Sequence, residues 1–205
     1  MPSGQLGGSR MRIAIVNTKG GVGKTTSSIY LATAAAREGI PATIFDADTQ
    51  GSASEWAGTA KADGIDLPWR VTSVTQYHLA TMVGDSSEGE IQIIDCPPKD
   101  PQIVNEAIRA ADFVIVPTQP TGIDMSRVWK TLEHLGDTPA AVLLTAVRLN
   151  TNLLRDAQAA LDDQNVPYFD TVIAQREAIR AAMSTVPSKL FGYDDVLHEI
   201  QEEMK

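Results

Sequence analysis

The sequence predicts an α/β fold: a single domain built on a mostly parallel, twisted sheet with helices on both faces. Three observations lead there. Short apolar runs alternate with segments of helical periodicity along nearly the whole chain, the pattern of right-handed βαβ units. The runs FVIVP (113–117) and AVLLTAV (141–147) are apolar at successive positions, as strands covered on both faces must be. A chain of 205 residues, 43% hydrophobic and 21% charged, has the composition of an ordinary soluble core of that size.

Each element follows in order. Arg12–Asn17 (RIAIVN) reads as a buried strand, and Lys24–Arg37 as a helix that stops at Gly39. Ala42–Asp46 (ATIFD) is a second strand, Ser52–Gly58 a short helix, Arg70–Ser73 a short strand and Thr75–Val83 a helix. Ile91–Asp95 (IQIID) is a strand ended by Pro97 and Pro98, and Pro101–Ala111 a helix with proline in its first turn. Phe113–Pro117 is a strand, Met125–Leu135 a helix, Ala140–Val147 a strand, Asn152–Gln164 a helix and Tyr168–Ile173 a strand. Gln175–Met183 and Asp194–Met204 close the chain as helices. Residues 1–10, rich in Gly and Ser, read as a flexible tail, which leaves 11–205 as the domain. No internal repeat and no linker divides it.

Composition excludes several classes. The lone cysteine, Cys96, rules out an intrachain disulfide framework, a zinc site of several thiolates and an iron–sulfur cluster held by one chain. No apolar run approaches the ~20 residues that span a bilayer. The first residues lack the apolar stretch of a secretory signal, so the expected location is the cytoplasm. A net charge of −9 argues against a chain that is basic all over and leaves room for a local basic patch. His78, His134 and His198 are scattered, without metal-ligand spacing.

The first strand runs into Asn17-Thr18-Lys19-Gly20-Gly21-Val22-Gly23-Lys24-Thr25-Thr26 and then into a helix. Strand, glycine-rich turn, Gly-Lys-Thr and helix are the context of a phosphate loop. The glycines let several N–H groups converge on one anion, and the helix N-terminus adds its dipole. Gly20 to Thr26 would cradle the phosphates, Lys24 would reach the β- and γ-oxygens, and the Thr25 hydroxyl would bind Mg²⁺. Two acidic strand ends complete the set. Asp46 and Asp48 close the second strand, where ligands of parallel sheets bind, and would point the same way if strand geometry continued that far. Asp95 ends an apolar strand in the manner of a Walker B aspartate, although a turn aspartate before Pro97-Pro98 has the same local signature.

The loop departs from the common template, which has glycine where this chain has Thr18, and a second lysine, Lys19, opens it. Lys-Gly-Gly-Val-Gly-Lys-Thr-Thr resembles the deviant Walker A motif of the ParA/MinD family, and the resemblance runs from Arg12 to the end. It implies a P-loop NTPase that binds ATP or ADP with Mg²⁺ and hydrolyses ATP slowly. It gives Lys19 a role in trans, on the nucleotide of a second copy, so that ATP bridges a homodimer. It gives Asp48 the attacking water and part of the metal shell, with Asp95 holding Mg²⁺ through Thr25 or water, and leaves Asp46 to hold the loop. The catalytic set is then Lys19, Lys24 and Asp48. Thr49 stands where the family often has proline. The Val116–Thr121 segment, with Pro117, resembles the part that flanks adenine or ribose; Arg148 ends a strand near the base, and Asp124 matches an aspartate near the dimer seam.

The family member is less legible. The C-terminal helix is acidic, unlike a basic membrane-targeting helix, so no membrane partner is expected. What remains resembles small ParA proteins, which implies nonspecific DNA, a small ParB-like DNA-binding adaptor and a nucleoid-associated location. Arg176 and Arg180 lie four apart on one face of the expected helix; with Arg155 and Lys189 they are the candidate DNA contacts, although charged positions are ordinarily solvated faces. A ParA-like ATPase that positions a protein cargo, such as a carboxysome or chemoreceptor cluster, is the alternative. An amide-forming synthase of the cobyrinate or dethiobiotin type is a third reading.

Overall fold

The computed structural model describes residues 11–82 and 89–205. The expected tail at 1–10, and Val83 at the end of the expected helix Thr75–Val83, lie outside the described residues. In chain order the elements are β1 (Met11–Ile15), α1 (Lys24–Arg37), β2 (Ala42–Asp46), α2 (Ser52–Ala62), β3 (Arg70–Ser73), α3 (Gln76–Met82) and β4 (Ile91–Asp95). Then come α4 (Pro101–Ala110), β5 (Phe113–Thr118), α5 (Gly122–Leu132), β6 (Ala140–Leu144), α6 (Asn152–Asp163), α7 (Glu177–Ala181) and α8 (Tyr193–Glu203). Among the described residues the strands form one six-stranded sheet, ordered β3-β2-β4-β1-β5-β6, and every pairing is parallel.

Successive residues of a strand face opposite sides of the sheet, and each side here has its own core. Ile13, Ile15, Ile44, Ile93, Ile115 and Leu143 pack with Leu31 of α1 and with Tyr193, Val196, Leu197 and Ile200 of α8. Ala14, Phe45, Ile94, Val114, Val116 and Val142 pack on the other side with Ile103 of α4, Val128 of α5 and Leu161 of α6. Burial on both faces is why these strands are apolar throughout.

The expected strand at Tyr168–Ile173 does not form. Only single bridges remain, Val142 with Tyr168 and Val147 with Ala174. The reason lies in another element: Glu199 of α8 accepts from the Asp170 and Thr171 amides at 2.8 and 3.0 Å, which draws the middle of the segment away from β6. α5 begins at Gly122 rather than Met125 because the Thr121 side chain caps it, accepting from the Asp124 amide at 3.3 Å. β6 ends at Leu144, because Ala146 takes a left-handed φ of 50°. α7 is shorter than expected. Arg176 is its extended N-cap, outside the helix, so Arg176 and Arg180 do not share a helical face as the sequence suggested.

In a parallel sheet all carboxyl ends lie along one edge. Here Asp46 and Asp95 are register partners, and Asp95 is also opposite Ile15. The pairing continues one step further: the Ala47 amide donates to the Asp95 carbonyl at 3.0 Å and that of Val16 to Ile115 at 3.0 Å. The loop that follows β1 is thus delivered beside both acidic strand ends.

Candidate nucleotide site

The loop from Val16 to Gly23 turns on two glycines of positive φ, Gly21 (76°) and Gly23 (96°). Gly23 is the N-cap of α1 and has no side chain to accept from the first-turn amides, which leaves them for a ligand. Three of the loop's carbonyls, those of Lys19, Gly21 and Val22, are taken by the chain itself. Lys24 Nζ donates to the Lys19 carbonyl at 3.0 Å, Gln119 Nε2 to that of Gly21 at 3.2 Å and Thr145 Oγ1 to that of Val22 at 2.8 Å. Asn17 fastens the loop's root: its side-chain oxygen accepts from the Lys19 amide at 2.8 Å and its side-chain amide donates to the Pro117 carbonyl at 2.9 Å. With these carbonyls occupied and the first-turn amides of α1 uncapped, the loop has the makings of an anion cradle.

Lys24 is 7% exposed. Burial lowers its pKa, against the pull of the Asp95 and Asp48 carboxylates, which favour the charged form. Asp95, at the end of β4, is 1% exposed, and neither carboxylate oxygen has a hydrogen-bond partner. Burial pushes its pKa up to about 7; the nearby Thr25 hydroxyl and Lys24 act downward, Asp46 and Asp48 upward. Burial likewise raises the Cys96 thiol, so it stays protonated and serves as a small buried residue.

β2 ends at Asp46, so Asp46 and Asp48 do not point alike. Asp46 is buried and accepts from the Ser54 amide at 2.8 Å and hydroxyl at 2.7 Å, and from the Asp48 amide at 3.3 Å. It caps α2, whose N-cap Gly51 has no side chain, and tethers the loop that carries Asp48. Asp48 is half-buried; one oxygen accepts from the Gln50 amide at 2.9 Å.

Lys19 stands at the rim, 38% exposed, in an ion pair with Asp124, whose carboxylate is 2% exposed. The other Asp124 oxygen accepts from Thr121 Oγ1 at 2.6 Å.

Two cavities flank the loop. One, of about 140 Å³, is lined by Gly21, Gly23, Thr26, Gln119, Arg176 and Arg180 among others. The other, of about 560 Å³, lies between α4 and α5 and reaches Thr18, Lys19, Val104, Arg127 and Lys130. Arg148 follows β6, and its Nε donates to Gln175 Oε1 at 3.4 Å beside Arg176. Pro117 lies buried within β5 and lines neither cavity; Gln119, two residues on, does. Arg176 and Arg180, candidates for DNA, therefore border the phosphate loop. Arg155, on α6, and Lys189, in the loop before α8, are exposed and line neither cavity. Asn17 and Thr145 were missed as site residues; a polar residue at the end of an apolar strand is the only signal either gives.

The family described as CobQ/CobB/MinD/ParA nucleotide binding domain matches residues 13–187. The chain belongs to this family. It is 35% identical over 180 residues to the maintenance of carboxysome distribution protein A of Gloeobacter kilaueensis, covering 83% of this chain and 80% of that protein. It is 22% identical over 205 residues to protein ParA of Rhizobium radiobacter, covering 93% and 86%. Its fold matches that of the septum site-determining protein MinD of Pyrococcus horikoshii, solved with Mg-ADP, at a TM-score of 0.74 and 18% identity over 95% of this chain and 97% of that one.

Among the described residues no three His, Cys, Asp or Glu side chains converge as a metal cage. A ParA/MinD-family site does not need one, because Mg²⁺ keeps several waters and uses one or two carboxylates with the phosphates of its nucleotide. The unpartnered oxygens of Asp95, beside Thr25, fit that mode. Among the described residues no helix is long and apolar enough to cross a membrane.

Proposed function

We propose that the chain is an ATP-driven switch of the ParA kind. Two copies close on ATP, the closed pair binds DNA without sequence preference, and slow hydrolysis to ADP and phosphate, raised by a small DNA-binding adaptor, reopens it. It works at the nucleoid in a DNA-segregation system. The observation that carries this reading is the phosphate loop with its carbonyls tied back, set against the unpartnered Asp95.

The roles follow from charge. Phosphoryl transfer to water needs positive charge on the γ-phosphate and an oriented water more than covalent help. The loop amides supply fixed dipoles. Lys24 exchanges the Lys19 carbonyl for phosphate oxygens. Asp48, half-exposed on a tethered loop, orients the attacking water. Thr25, Asp95 and Asp48 would hold Mg²⁺, which when bound neutralises charge on the phosphates. Lys19 exchanges Asp124 for the nucleotide of the second copy. Replacing Lys19 or Asp48 by alanine should lower ATP turnover at least ~10²-fold, the scale of losing one oriented charge at the reacting centre; unchanged turnover in a phosphate-release assay would refute the assignment.

For DNA, Arg176 and Arg180 are the contacts to test, with Arg155 and Lys189 adding charge. Neutralising Arg176 and Arg180 together should weaken binding to random duplex and flatten its salt dependence. Because both border the loop, nucleotide affinity must be measured beside DNA affinity; intact DNA binding at matched salt removes the assignment.

A second reading has its own support: a carboxysome distribution protein is 35% identical over 83% of this chain. In that reading the same switch positions a protein assembly. Turnover stimulated by an adaptor only with its DNA site supports segregation; stimulation by a cargo-bound protein without such a site supports positioning.

A further inference from the structure

We infer that Thr145 is a positioning residue of the phosphate loop: its buried hydroxyl holds the Val22 carbonyl outward and thereby aims the Gly23 amide at the phosphates. The inference deepens the nucleotide reading above and rests on it.

A peptide unit is planar, with its C=O and N–H antiparallel. Whatever fixes the Val22 carbonyl therefore fixes the Gly23 N–H, which starts the row of amides leading into α1. Thr145 is 4% exposed. Its Oγ1 lies 2.8 Å from the Val22 carbonyl and 3.2 Å from that of Thr118. A hydroxyl has one proton, and the Val22 carbonyl is the nearer of its two acceptors, so the proton goes to Val22; the Thr118 carbonyl keeps its bond from the Thr145 amide at 2.7 Å. The Thr145 methyl and hydroxyl also approach within 3.8 Å of the space a Cβ on Gly23 would fill. The chain leaves β6 at this point through Ala146, whose φ of 50° is seldom taken by a non-glycine residue. That turn and the two carbonyl contacts fix Thr145 between the ends of β5 and β6 and the loop. Gln119 does the same for the preceding peptide, since its bond to the Gly21 carbonyl sets the Val22 N–H, but from a half-exposed side chain.

The test compares Thr145→Val, which keeps the shape and removes the proton, with Thr145→Ser, which keeps the proton. ADP and ATP affinities are measured by calorimetry beside melting temperatures without nucleotide, and the ³¹P shift of the bound β-phosphate is recorded. A freed Val22 carbonyl should weaken both nucleotides about tenfold in Thr145→Val, the scale of one net hydrogen bond. Thr145→Ser should stay within roughly threefold of wild type and keep its ³¹P shift. Nucleotide binding by Thr145→Val within twofold of wild type overturns the inference, as does an equal loss in Thr145→Ser. If Thr145→Val does not fold, the unliganded wild type decides. A slowly exchanging Thr145 hydroxyl proton supports the inference, and one that exchanges as fast as the exposed Thr18 hydroxyl overturns it. Failure of the nucleotide reading shows separately, as a wild-type chain that binds neither ADP nor ATP.

Discussion

Asp95 concentrates the conflict between stability and ligand binding in one side chain. A buried carboxylate with both oxygens unpartnered destabilises the empty protein, because its charged form has lost water and gained little. With a folded pKa raised to about 7, the penalty grows as pH rises from the unfolded value to about 7 and is fully present above it. Asp95→Asn should therefore stabilise the chain at pH 8 in chelator by about 1–3 kcal/mol, or roughly 3–8 °C in a thermal melt. The same substitution should abolish the Mg²⁺ dependence of nucleotide affinity. A lower melting temperature would make Asp95 a structural aspartate. Ala146 carries a different cost, one of backbone conformation. Glycine there relieves a left-handed φ, and Ala146→Gly should raise stability by about 1 kcal/mol in denaturant melts. Lys24, Thr25 and Asp95 were legible in the sequence because strand-end and helix-start signals fix their places. Thr145 was not, since a hydroxyl at the end of an apolar strand looks alike whether it meets solvent or a loop carbonyl 123 positions away.

Elements were legible where their limits are written locally. α1, β2, β3 and β4 have the expected bounds: Gly39 follows the first, Asp ends the second and fourth, and Pro97 stands beyond the last. They were illegible where another element decides. Tyr168–Ile173 has a strand's composition, and Glu199 of α8 takes its central amides. Thr121 starts α5 at a glycine, because a cap outweighs the low helix propensity of Gly122. Glu199→Ala should release the Asp170 and Thr171 amides to fast hydrogen exchange and cost about 1 kcal/mol, since the bonds are partly solvated. Unchanged protection of both amides would show that the segment holds its course without α8.

At the scale of the molecule, the sheet brings β1, β2 and β4 to one edge, and α8 closes the opposite face of α1. Tyr193 of α8 hydrogen bonds Ser27 at 3.0 Å and packs on Tyr30 with ring centroids 5.0 Å apart, so the helix that carries Lys24 and Thr25 is braced from behind. The face that carries Lys19 is open, and Asp124 satisfies the lysine in the lone chain. The ParA/MinD family and its parallel fold were readable from the loop and the βαβ rhythm. The Lys19–Asp124 pair was not, since it joins positions 105 apart. In the proposed switch, ATP is gripped between two copies through Lys19. Sedimentation of Asp48→Ala, which should bind ATP without consuming it, is the decisive measurement. The mass should be a dimer's with Mg-ATP and a monomer's with ADP, and should return to a monomer's with Mg-ATP when Lys19→Ala is added. A monomer in ATP, or a dimer that survives the loss of Lys19, would show that Lys19 does not join the pair.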